Sequence, residues 1–180
     1  MTDEVEIVPY DPAWPAQFAM EADRLRAALD AELIVGIEHF GSTAVSGLAA
    51  KPIFDILIAV RSLAHDKTTI IERIIALGYV YWSENPKTDR MFFVKGMPPY
   101  GERRTHHIHI TEPDGEMWQH RLAFRDYLRA NPDEADRYEA LKRDLAATFP
   151  ADREAYTVAK SDYVEAIYRR LGLPQMPIER

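Results

Sequence analysis

Asp55 is the one ionisable side chain in the apolar run 53–60, IFDILIAV. A carboxylate in such a run is costly unless a cation, a metal or a ligand pairs with it. Two readings stand: a buried ion pair with Arg or Lys, or a metal ligand or general base at a pocket. Lys51, just ahead of Pro52, is either an anion contact or a surface side chain. Gly41-Ser42-Thr43 lies shortly upstream. Glycine permits a sharp turn, and hydroxyls with backbone N–H groups at a helix start suit an anion. A plain turn with an N-cap uses the same residues.

The segment 106–110, HHIHI, is the second constellation. In a strand, His107 and His109 share one face, while His106, Ile108 and Ile110 share the other. Two imidazoles side by side suit a metal, a phosphate or proton transfer, or are a surface pair without a task. His39 ends an earlier strand and can join them. Basic and hydroxyl side chains form a third set. Arg121, Arg125 and Arg129 recur every four residues, with Asp126 between them. Lys142 follows, then Tyr156 and Lys160, again four apart. Guanidinium and ammonium groups fit phosphate oxygens; an ordinary solvated helix face has the same pattern.

The elements that must position these residues are legible in part. A short strand is expected over 5–8 and a helix over 14–31 with Phe18, Ala22, Leu25 and Leu29 inward. A strand over 34–40 ends at Gly41, and Ser42 caps a short helix through Leu48. The run 53–60 reads as a central strand buried on both faces. A helix over 67–77 stops at Gly78. Strands follow over 79–82, 90–94 and 105–111. From 114 to 171 the pattern is helical, in segments 115–130, 132–148 and 152–171. Strands followed by a helical run predict an α+β fold in one domain, with a sheet-bearing part over 1–113 and a helical part over 114–171. The tail 172–180 is a loose end or a docking arm. The helical part is expected to close one side of the pocket, with Arg125 and Lys160 facing residues 41–43.

Composition sets the limits. The chain of 180 residues is 47% hydrophobic, which suits a folded domain. It has no cysteine, which excludes disulfides and thiolate–metal sites and fits a reducing cytoplasm. The start, MTDEVEIVPYDPAW, is acidic and does not read as a signal peptide. No run approaches a membrane span. A net charge of −7 argues against general nucleic-acid binding, but leaves room for a basic pocket around one anionic ligand. Oligomeric state is not readable.

Several motifs together carry a resemblance: Trp14-Pro15, HFGSTAVSGLAAKPIFDILIAV at 39–60, LGY at 77–79, the histidine strand, LAFRDYLRANP at 122–132, LKRDLA at 141–146 and YTVAKSDYV at 156–164. The sequence resembles the GrpB family over about 5–171. The resemblance implies a polymerase-β-type nucleotidyltransferase-like fold. Relatives of this kind also occur fused to dephospho-coenzyme A kinase. In active nucleotidyltransferases a Gly-Ser contacts nucleotide phosphates, two carboxylates one residue apart on the next strand hold Mg²⁺, and a third comes from a later strand. Gly41-Ser42 and Asp55 match the first two features, but the second carboxylate position is Leu57, and the later strand offers His107 and His109. Mg²⁺ prefers oxygen ligands, so Asp55 with two histidines suits Zn²⁺, Mn²⁺ or no metal.

The favoured expectation is a cleft that binds a nucleotide or coenzyme A-like ligand through Gly41, Ser42, Thr43, Lys51, Arg125, Arg129, Lys142, Tyr156 and Lys160. The first alternative is an active nucleotidyltransferase modifying a small molecule or a protein with a divalent metal. The second is a metal-dependent or acid/base enzyme using Asp55, His107 and His109.

Overall fold

Alternation along residues 54–60 decides the architecture. Phe54, Ile56, Ile58 and Val60 point to one face of their strand and Asp55, Leu57 and Ala59 to the other. In the computed structural model, which describes residues 4–174, this strand is flanked on both sides in a five-stranded mixed sheet. The strands are β1 (Ile34–Phe40), β2 (Phe54–Val60), β3 (Tyr79–Tyr81), β4 (Met91–Lys95) and β5 (His106–Thr111), in the order β1-β2-β5-β4-β3. β2 and β5 run parallel, and the other pairs are antiparallel. Ile56, Leu57, Ile58 and Ala59 have no exposed surface, as expected of a strand covered on both faces.

Two helices cover the first face. Helix α1 (Trp14–Ala28) and helix α2 (Lys67–Ala76) pack Leu25, Ile70 and Ile74 against Ile56, Ile58, Ile108 and Ile110. Glu21 on α1 accepts hydrogen bonds from Tyr79 (2.8 Å) and Lys95 (2.7 Å), which fixes the helix over β3 and β4. The other face is partly covered by helix α3 (Glu116–Ala130), whose Met117 packs with Phe40 and Leu57. Helix α4 (Pro132–Thr148), helix α5 (Arg153–Ala159) and helix α6 (Ser161–Arg170) follow. Glu134 binds α4 to α6 through Tyr163 (2.6 Å) and Arg170 (2.7 Å). The α+β class is as expected. No helix among the described residues is long and apolar enough to cross a membrane.

Four local expectations need correction. The segment 5–8 is no strand; it contributes an isolated bridge, Val8 to Ala50, while the Val5 N–H bonds to the Pro150 carbonyl (2.9 Å). The helix expected from Ser42 through Leu48 is a single 3₁₀ turn, Ser42–Ala44, because Val45 is already extended (φ −105°, ψ 116°). The helix expected over 152–171 is two helices, α5 and α6, meeting at Lys160. The first helix ends at Ala28, short of the expected 31, where Leu29 turns extended (φ −97°, ψ 140°). Of the tail, 175–180 lies outside the described residues; the Pro174 carbonyl accepts from His120 Nε2 (2.6 Å).

Candidate active site cleft

A cleft of about 760 Å³ opens where the sheet face left bare by α3 meets α4 and α5. That volume lies within the usual range for small-molecule sites. Gly41, Ser42, Thr43, Lys51, Asp55, His107, His109, Lys142, Tyr156 and Lys160 all contribute to its lining. They come together because β1 ends, and β2 and β5 begin, at the same edge of the sheet.

Asp55 and His107 are register partners on the parallel β2–β5 pair, so their side chains share the cleft face. His107 Nδ1 lies 2.9 Å from Asp55 Oδ1. Burial pushes the Asp55 carboxyl up, but the His107 hydrogen bond, with the nearby His107, His109 and Lys51 side chains, outweighs it and holds it at about 2. An ionised carboxylate can only accept, so Nδ1 carries the proton and donates. Burial lowers the affinity of His107 for a second proton, and Asp55 only partly offsets this. The ring is therefore neutral near pH 7. Its Nε2 lone pair faces Arg153 Nη2 at 3.4 Å. The chain Asp55–His107–Arg153 is a fixed-tautomer imidazole with its second nitrogen at the cleft.

Gly41 is what lets Asp55 sit there. A Cβ built on Gly41 would lie 2.3 Å from Asp55 Oδ2, and the backbone has φ +72° with ψ −173°. That conformation is essentially reserved for glycine. Thr43 has its hydroxyl engaged below the turn. It contacts His39 Nε2 (2.9 Å) and donates to the Ile53 carbonyl (3.3 Å). His39 itself stacks on Phe18, and burial lowers its pKa to about 4. It belongs to the support beneath the turn. Ser42 Oγ has no hydrogen bond among the described residues.

The charge balance of the lining is lopsided. Loops supply Lys51, Lys87, Arg90 and Arg104, and the helices supply Arg121, Lys142, Arg153 and Lys160. Against them stand two carboxylates, Asp55 and Glu154. The whole chain is at −7, so cationic charge is concentrated in this cleft. The Tyr156 ring carries Lys160 Nζ at 4.4 Å and Lys51 Nζ at 5.0 Å from its centroid, holding both ammonium groups at the same wall. Lys142 is 2% exposed; its Nζ donates to the Ala49 carbonyl and lies 5.1 Å from the Tyr138 ring centre. Burial, aided by the nearby Lys160 charge, lowers its pKa to about 7.

Two expected residues are placed elsewhere. Arg125 donates to Glu38 (2.7 Å), to the His39 carbonyl (2.9 Å) and to Asp126 (2.7 Å). Arg129 donates to the Ala44 carbonyl at 3.0 and 2.8 Å. Both buttress the back of the 39–44 segment and are not part of the cleft lining. A four-residue spacing rotates about 40° per step around a helix. Arg121 therefore reaches the cleft while its successors turn away. Arg153 joins the cleft beyond the expected set; it precedes Tyr156 and Lys160 by three and seven residues and so lies on their helical face. Arg125→Met is expected to cost about 2 kcal/mol by denaturant unfolding, because a buried carbonyl loses its donor while Glu38 and Asp126 stay solvated. Affinity of the folded protein for tripolyphosphate should stay within about twofold of the parent. A loss above tenfold would return Arg125 to the ligand site.

A two-metal centre does not fit these residues. The position one residue past the first carboxylate on its own face is Leu57, fully buried against Phe40 and Met117. His107 Nδ1 is turned to Asp55, and the His109 ring packs between Phe92 (4.6 Å) and Phe40 (5.6 Å). No group of three or more His, Cys, Asp or Glu among the described residues is arranged to hold a metal ion.

Comparison with known proteins gives the chain's relationships. The family model described as "GrpB protein" matches residues 4–170. A UPF0157 protein of Pseudomonas aeruginosa is 51% identical over 93% of this chain and 68% of its own length. A dephospho-CoA kinase of Mycolicibacterium paratuberculosis is 32% identical over 92% of this chain, which spans 46% of that enzyme. The crystal structure of GrpB from Enterococcus faecalis superposes with a TM-score of 0.81 at 35% identity, covering 92% of this chain and 96% of that one. The structure of Cid1 in complex with the UTP analogue UMPNPP superposes with a TM-score of 0.52 at 14% identity, over 78% of this chain and 43% of that one. The fold is thus of the polymerase-β-like, nucleotidyltransferase type.

Proposed function

The chain belongs to the GrpB family, and from that premise we propose that its cleft binds a phosphorylated small molecule of the nucleotide or coenzyme A class without two-metal transfer chemistry. The observation that carries the reading is the charge balance: eight basic against two acidic side chains in the lining described above, with Arg90 ion-paired to Asp89 (3.0 Å) and the Lys142 pKa lowered to about 7, on a chain of net charge −7. A low-dielectric pocket with that excess of cations attracts a polyanion strongly. Lys51 from the loop before β2, Lys142 from α4, and Arg153 and Lys160 from α5 and its C-terminal end all reach the cleft, so a phosphate chain would meet cations from three parts of the chain. Ser42 Oγ supplies a neutral donor at the Gly41 turn. The dephospho-CoA kinase relative supports the coenzyme A arm of the proposal, and the transferase fold supports the nucleotide arm.

The test is thermal melting against ATP, GTP, CTP, UTP, coenzyme A and dephospho-coenzyme A, each with and without Mg²⁺ or Mn²⁺. A ligand at about 100 times its Kd adds roughly 2.7 kcal/mol and raises the midpoint by about 5–10 °C for a chain of this size. The expected result is a shift with at least one ligand that does not require metal. A shift that appears with one nucleotide only when metal is added would instead support metal-assisted transfer. No shift from any of the six would overturn the reading.

The Asp55–His107 pair favours a second reading, an acid/base step on the bound phosphorylated ligand. A carboxylate-held, neutral imidazole whose Nε2 lies beside Arg153 at the cleft can accept a proton once the ligand engages that guanidinium. Turnover of a bound ligand that is lost in His107→Gln, with binding retained, would separate this reading from simple binding.

A further inference from the structure

The cleft's cations account for one end of a ligand, yet the sheet face beside them is aromatic. Phe40, His109 and Phe92 form a row across the cleft side of β1, β5 and β4, with ring centres 5.6 and 4.6 Å apart. Trp82 extends the row, edge-on to Phe92 at 5.8 Å and 72°. Its backbone N–H donates to the Phe92 carbonyl (3.0 Å), so the main chain that carries the indole is anchored at the end of the β3–β4 ladder. It nevertheless remains 47% exposed, at the cleft's rim. An indole on a rigid anchor with an open face is a stacking platform. His109 adds a polar feature: its Nδ1 is buried with no hydrogen-bond partner among the described residues. Burial holds this imidazole neutral. A buried polar atom without a partner is unusual in folded proteins and calls for an explanation.

We propose that this row is a second subsite, which takes a heteroaromatic ring of the ligand, stacked on Trp82 and Phe92 with His109 at its polar edge. The inference rests on the anionic-ligand reading and narrows it. Phosphates sit at the Lys51–Tyr156–Lys160 wall, and a nucleobase lies along the sheet toward Trp82. Sugar phosphates, inorganic polyphosphates and phosphorylated acids lack the ring and gain nothing from this surface. Contacts of base with aromatic side chain depend little on base identity, because every base has a π-face. The subsite therefore selects nucleotides as a class.

The experiment compares tripolyphosphate with ATP, GTP, CTP, UTP and coenzyme A by calorimetric titration, on the wild-type chain, Trp82→Ala and Trp82→Phe. Trp82 is an exposed rim residue, so both variants should keep the fold. The expected result is that at least one nucleotide binds wild type about tenfold or more tightly than tripolyphosphate. Trp82→Ala should remove that advantage and leave tripolyphosphate affinity unchanged, and Trp82→Phe should keep most of it. Equal affinity of all five organic ligands and tripolyphosphate in wild type would overturn the subsite while leaving the anion cleft standing. So would a Trp82→Ala loss shared equally by tripolyphosphate. Failure of tripolyphosphate and every nucleotide to bind would instead overturn the anion reading, and the subsite with it.

Discussion

Lys142→Met should stabilise the protein at pH 6 and destabilise it at pH 10. The Lys142 ammonium is buried and its pKa is lowered from 10.5 to about 7, chiefly by burial. In the unfolded chain it keeps the ordinary value. Between about pH 7 and 10.5 the unfolded state therefore holds more protons than the folded one, and stability rises with pH across that window. Below pH 7 the full cost of burying the charge applies, on the order of 5 kcal/mol at most. Methionine removes that cost with nearly the same volume, but leaves the Ala49 carbonyl without its donor, a loss of about 1–3 kcal/mol. The first effect wins at pH 6 by about 2–4 kcal/mol. At pH 10 it has nearly vanished and the lost hydrogen bond decides the sign. Denaturant unfolding at the two pH values measures this directly. A variant less stable than wild type at both would show that the ammonium is well solvated or compensated in the fold.

That trade bears on function. A buried lysine that costs stability, on a wall shared with Lys51 and Lys160, is a poor choice for a scaffold and a good one for an anion site. A bound phosphate would repay the burial by restoring the charged form. Affinity for tripolyphosphate should thus fall in Lys142→Met while the variant's stability at pH 6 rises, a pattern common where binding groups are held in strain.

How much of this was legible depended on whether the signal was local. The β2 strand was readable from its uninterrupted β-branched run, and the pairing of His107 with His109 on one face followed from alternation alone. Asp55 was identifiable as the odd charge, but its partner was not, because the β2–β5 register is set by a parallel pairing across 52 residues. The break between α5 and α6 carries no glycine or proline. Lys160 closes one helix and opens the next with ordinary αR angles (φ −81°, ψ −16°), so periodicity passes through it unmarked. Regular spacing misled in the other direction at Arg121, Arg125 and Arg129, where helical drift separates cleft from buttress. Burial of Lys142 was invisible, since nothing in the pattern LKRDLA distinguishes a lysine against Tyr138 from one in water.

Gly41→Ala is expected to be severely destabilising, and through Asp55 more than through the backbone alone. The φ of +72° with extended ψ costs a non-glycine residue roughly 1–3 kcal/mol. The added methyl also falls 2.3 Å from Asp55 Oδ2 and 3.0 Å from its Cγ. The carboxylate must move, and moving it breaks the hydrogen bond that fixes the His107 tautomer. A charge-assisted bond of this kind contributes about 1.5–3 kcal/mol. Combined with Asp55→Ala, the same glycine substitution should show the backbone part and the milder 3.1 Å contact with the Cβ of position 55, because the clashing oxygen is gone. A double-mutant cycle on Gly41→Ala and Asp55→Ala should therefore return a coupling of about 1–3 kcal/mol, with the double mutant more stable than the sum of the single losses. Strict additivity would mean that the Asp55 carboxylate has room to swing aside without losing His107. The turn would then be conserving only its own backbone, and the close approach of glycine to carboxylate would have no part in building the cleft.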